Sequence, residues 1–114
     1  MTTRPPATGP DRHLATVREV ALLWAGHHPG PFPEVPLDDK LDLAYLDLTV
    51  AGCVSTYLGN GGIPGHGHLG ILRNCLPELQ AAVALLGRSA EYHEGLTAFR
   101  RLLTMAELIL ADGS

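Results

Sequence analysis

The chain has 114 residues, enough for one domain with one core that buries roughly two-thirds of the unfolded surface. Hydrophobic residues make up 46%, which places it among folded sequences; aromatics are only 5%, so the apolar part is mostly Leu, Ala and Val and favours packed helices over sheets. The net charge of −4 divides into four basic and seven acidic side chains in residues 1–58 and four and five in 59–114, so neither half is a basic module and general nucleic-acid binding is disfavoured.

Two cysteines, Cys53 and Cys75, are too few for a disulfide framework or a four-thiolate zinc site, and they read as small buried hydrophobes. The opening MTTRPPATGP lacks the apolar core of a secretory signal. The longest apolar run, Leu43–Leu58, is interrupted by Asp47 and several polar residues, so no run of about 18 uncharged apolar residues marks a membrane span. These features predict a cytoplasmic protein with reduced thiols and no membrane partner. Seven of the eight basic residues are Arg, a bias that accompanies GC-rich bacterial genomes.

Taken in order, residues 1–10 form a Pro/Thr/Gly-rich tail predicted to be flexible, and 11–114 a single helical domain. Asp11 is placed to cap a first helix running to about Gly26, with Leu14, Val17, Val20, Ala21 and Trp24 on its apolar face. Four prolines between 29 and 36 predict a stiff crossing. The second helix is expected from about Leu37, capped by Asp38 or Asp39. It is apolar nearly all round, through Leu43, Ala44, Leu46, Leu48, Val50, Ala51, Val54 and Leu58, so it is either central or shared with another subunit.

Gly59 to Gly70 (GNGGIPGHGHLG) is the strongest break in the chain, with six glycines, two histidines and a proline. Beyond it, Leu69, Leu72, Leu76, Leu79, Val83 and Leu86 keep a 3-4-3-4-3 spacing, with a kink expected at Pro77. Gly87 should close this helix and Ser89 cap the last, whose seam is Tyr92, Leu96, Phe99, Leu103, Ala106 and Leu110, broadened by Leu102 and Ile109. The expected fold is all-α, a small antiparallel four-helix bundle, dimeric through helix two or the helix-four face.

Several patterns bear on chemistry. Gly65-His66-Gly67-His68-Leu69-Gly70 matches G-x-G-x-x-G, but a helix precedes it where the dinucleotide fingerprint needs a strand. His66 and His68, joined by His93 and by His27, His28 or Cys75, are the candidate ligands for a divalent metal, though exposed loop histidines are the simpler reading. Asp38-Asp39-Lys40-Leu41-Asp42 spells D-D-x-x-D, the pattern by which prenyl-diphosphate enzymes hold magnesium; at a predicted helix start, capping explains it better.

Arg88-Ser-Ala-Glu-Tyr-His93 fits R-x4-H at the start of the last helix. In that respect the chain is similar to the HEPN ribonucleases, helical dimers in which Arg and His act on the RNA backbone. The resemblance spans six residues and a helix count. It implies that Arg88 would stabilise phosphate charge and His93 would act as acid or base. Glu94, Gly95 and Leu96 stand where that family has an aromatic after the His.

Asp47 is the single charge within an apolar helix and is expected either in solvent or buried against Arg73, Arg100 or Arg101. Trp24 and Tyr57 are candidates to line a binding pocket, with core packing the simpler reading. With no convergent catalytic set, the expected function is a non-catalytic protein-interaction or regulatory module that binds a protein or itself and needs no cofactor. The alternative is an enzyme, either a HEPN-like ribonuclease using Arg88 and His93 or a metal-dependent activity using His66, His68 and His93.

Overall fold

The computed structural model describes residues 9–27 and 42–113. Among them are four α-helices and no strand: α1 (Gly9–Ala25), α2 (Leu43–Gly59), α3 (His68–Leu86) and α4 (His93–Gly113), the last preceded by a 3-10 turn, Ala90–Tyr92. The protein is all-α. The Pro-rich crossing, His28 and the aspartates Asp38 and Asp39 lie outside the described residues, as does most of the predicted tail; α1 begins two residues ahead of Asp11.

α2 starts later than expected. Asp42, not Asp38 or Asp39, is its N-cap: extended backbone at φ −112° and ψ 104° lets Oδ1 accept from the Tyr45 amide at 3.0 Å. The helix ends in a Schellman turn. The Gly62 amide donates to Tyr57 O at 2.7 Å and the Gly61 amide to Leu58 O at 3.2 Å. That geometry turns the chain left-handed, and the two residues with φ of +66° and +93° are Gly61 and Gly62.

α3 runs as one helix across Pro77, which is exposed. Its leucine spacing locates the helix correctly, but the buried face is rotated. Leu72, Cys75, Leu79, Ala82 and Leu86 are buried, while Leu69, Leu76 and Val83 are only partly covered. The small side chains at 75 and 82 let a neighbour approach closely. α3 with α4 is the most extensively packed pair.

α4 shows the same rotation, burying Phe99, Leu102, Met105, Ala106 and Ile109, with Leu103 and Leu110 at the margin. Ser89 does not cap it: Ser89 opens the 3-10 turn and makes no capping bond with its side chain. By length and mean hydropathy (1.2) α3 would suffice to cross a bilayer, but here it packs on α4 and exposes Arg73 and Glu78.

α2 and α4 each touch all three other helices, while α1 and α3 make no comparable contact with one another. The all-round apolar character of α2 therefore has two causes. One side, Leu43, Leu46, Val50, Cys53, Val54 and Tyr57, lies in the core; the other is exposed among the described residues.

Candidate functional site

The outer side of α2 is set by helical geometry. Tyr45, Leu48, Gly52, Ser55 and Gly59 are all exposed and recur every three or four residues, which puts them in one stripe opposite the buried face. Leu48 is 71% and Tyr45 66% exposed. The only charged residue of α2, Asp47, is buried, so this outer face carries no charge. Single exposed leucines are ordinary, but here two large apolar side chains share one uncharged stripe.

Behind that face, Asp47 meets an unexpected partner. Its Oδ1 lies 2.8 Å from His27 Nε2, and both side chains are almost wholly buried, at 7% and 3% exposure. None of Arg73, Arg100 or Arg101 pairs with it. Arg101 instead donates from Nη1 to Gly26 O, capping the end of α1 from α4. A Cβ on Gly26 would stand only 3.2 Å from the Arg101 Cζ, so the guanidinium lies flat against the backbone there.

Trp24 stacks on the His27 ring, with centroids 5.7 Å apart and planes 21° from parallel. The structure thus brings Asp47 and Trp24 together through His27. The carboxylate draws the imidazole proton to Nε2, leaving Nδ1 buried and without a hydrogen-bond partner among the described residues.

Tyr57 lies about 15 Å along α2 from Asp47, ten residues at the helical rise, and belongs to a second cluster. Its hydroxyl donates to Asp112 Oδ2 at 3.3 Å, and His13 Nδ1 reaches the same oxygen at 2.6 Å. Burial, the Asp112 charge and that hydrogen bond together push the Tyr57 phenol up to about 12. Gly62 seats the other edge of the His13 ring: a Cβ there would lie 2.8 Å from His13 Nε2 and 2.4 Å from Val17 Cγ2. Two histidine–aspartate pairs therefore pin α1 at its two ends, His13 to α4 and His27 to α2.

No family model, curated protein or solved structure matches this chain.

The remaining sequence candidates stay apart. Arg88 is exposed in the turn after α3 and His93 is exposed at the first residue of α4, with no hydrogen bond or ion pair between them. His66 is exposed in the glycine loop. His68 is half-buried and folds over Gly65, its Nδ1 without a partner among the described residues. Among the described residues no three of His, Cys, Asp and Glu gather as a metal site would require. The G-x-G-x-x-G stretch does open α3, with Gly67 as an N-cap that offers no side-chain bond, but α2 precedes it rather than a strand.

Cys53 and Cys75 are buried free thiols, both held above the usual thiol range, chiefly by burial; Cys75 adds to this for Cys53, and Glu78 for Cys75. Buried, protonated thiols are poor nucleophiles, so neither is placed to do covalent chemistry.

Sequence reasoning missed His27 as the partner of Asp47, and it missed His13 and Asp112 altogether. The signal for the first was present: a lone acid on an apolar helix, and a histidine directly after the Gly26 that ends α1.

Proposed function

We propose that this is a non-catalytic protein-interaction or regulatory module that works in the cytoplasm through the outer face of α2. The observation that carries the reading is the uncharged stripe on that helix, with Tyr45 and Leu48 standing out of it. Its four helices would form an antiparallel bundle, with α3 bent at Pro77. The polar interior supports a scaffold role for α1: its two histidine–aspartate pairs tie α1 to α2 and α4 and leave the α2 stripe on the outside.

The enzyme readings draw less support. Arg88 and His93 are both exposed with no contact between them, and the loop histidines have no third ligand beside them among the described residues.

The test is a photoreactive phenylalanine analogue placed at Leu48 in the host cell, with one at exposed Glu94 of α4 as the control. Covalent adducts are expected at position 48 and not at 94. No adduct at 48, or the same adducts at both, would contradict the proposal.

A further inference from the structure

The two histidine–aspartate pairs that hold α1 use opposite edges of the imidazole. His27 meets its acid through Nε2 and is sealed, with Nδ1 buried as well. His13 meets Asp112 through Nδ1 at 2.6 Å, and its side chain is 37% exposed against 3% for His27. A purely structural clasp can use either nitrogen and needs no exposure.

What the His13 arrangement adds is chemical. In the neutral ring the carboxylate keeps the proton on Nδ1, so Nε2 carries the lone pair. Asp112 is itself held, because the same Oδ2 accepts from the Tyr57 hydroxyl at 3.3 Å. Positive charge that forms on the ring when Nε2 bonds to an electrophile is met by a fixed carboxylate, the part played by the orienting acid of a triad. Gly62 packs beside the Nε2 edge. A Cβ there would stand 2.8 Å from that atom, so glycine keeps the edge uncrowded.

The other described histidines lack this combination. His66 and His93 are exposed, with no carboxylate bonded to either ring among the described residues, and His68 is half-buried. The surroundings of His13 also suit an anion. Helical side chains lean toward the N-terminus, so its ring lies over the first turn of α1 and the positive end of that helix. Exposed Arg12 offsets Asp11 in the same turn, which leaves the helix dipole to decide the sign.

We propose that His13 is a phosphoryl-acceptor site, phosphorylated on Nε2 by a donor that carries its phosphoryl group on nitrogen, with Asp112 as the positioning residue. The Nε2 lone pair attacks phosphorus, the P–N bond of the donor breaks, and its electron pair leaves with the donor nitrogen. The Nδ1 proton stays between the ring and Asp112, and the new positive charge of the ring faces that carboxylate. Exchange of one P–N bond for another lets the group be passed on again. The site is separate from the outer face of α2.

Phosphoramidate is the probe, and ammonia is then the leaving group. The full chain is treated at neutral pH and its phosphorylated positions are read by mass spectrometry in alkali, which preserves phosphohistidine, and by loss of the group in acid. His13 should react about tenfold or more faster than His66 and His93 of the same molecules. Asp112→Asn removes the charge and offers Nδ1 a donor, which sends the ring proton to Nε2. In that variant the rate at His13 should fall by about tenfold or more while His66 and His93 keep theirs. A merely structural pair predicts the opposite, since a ring freed from Asp112 would react as the exposed histidines do.

Equal rates at the three histidines of the native chain would overturn the proposal, and that comparison needs no variant. So would an unmodified His13, or an Asp112→Asn chain that reacts unchanged with its helices intact by circular dichroism. Any of these leaves the α2 reading, tested at Leu48, where it stands.

Discussion

Asp47 and His27 share one hydrogen bond out of water's reach, so removing either side leaves a buried polar group unpaired. Asp47→Leu is expected to destabilise the fold by about 1–3 kcal/mol, the usual cost of orphaning such a group, in urea unfolding. Asp47→Asn keeps an acceptor for Nε2–H and should cost clearly less. Equal losses from the two variants would mean that the hydrogen bond is not what holds this joint. Gly62→Ala meets both a positive φ and the side chains of Val17 and His13, and a loss of about 1–3 kcal/mol is expected. A neutral result would show that the glycine turn does not clamp α1.

Tyr57 ties the same joint to alkaline pH. Its phenol titrates near 10 in the unfolded chain and at about 12 in the fold, so the native state holds the proton over that window. Its contribution to stability is full below pH 10 and is lost as the pH rises through about 12. Tyr57→Phe should flatten the alkaline fall in stability, and the tyrosinate absorbance of the folded variant should lose a late-titrating step. An unchanged alkaline profile would contradict the assignment.

At the scale of the elements, Gly52→Ala separates the monomer from its associations. Within the single chain it adds a good helix former where there is open space, so α2 should gain roughly 0.5–1 kcal/mol, read at dilution by thermal unfolding. A loss of stability in the dilute monomer would mean that α2 needs this glycine for its own packing.

The helices themselves were legible in the sequence because leucine spacing repeats at the helical period and glycines stop it at 61, 62 and 87. The faces were less so. In α3 the buried line runs through Cys75 and Ala82, and in α4 through Met105. Small or flexible residues give no periodic signal until it is known which helix comes close. The start of α2 was misplaced because three aspartates, 38, 39 and 42, all have capping chemistry, and only backbone geometry selects the last. The stripe at 45, 48, 52, 55 and 59 was readable by spacing alone, but it hid within a helix that looked apolar on every side.

Among the described helices, the exposed ionic side chains lie on α1, α3 and α4, and the polar joints that fix α1 are turned inward. Of the polar residues proposed from the sequence, Asp47 pairs with His27, a partner from 20 residues away and across a connection, a distance that local spacing does not report. The glycine loop drew attention by composition; its described contacts are those of a turn that ends α2, seats His13 and starts α3. Function, on this account, lies where the molecule has left a surface without charge.

The most direct measurement of that claim is the rate of maleimide labelling of Leu48→Cys in intact cells, against Arg100→Cys on the charged face of α4. Both positions are exposed in the isolated chain, and the buried native thiols contribute little. In dilute purified protein the two cysteines should label at similar rates. In cells, position 48 should be protected by about tenfold or more relative to position 100, since an occupied face excludes the reagent for most of the time. Equal labelling in cells would mean that the α2 face stands open where the protein works, and the account would be wrong.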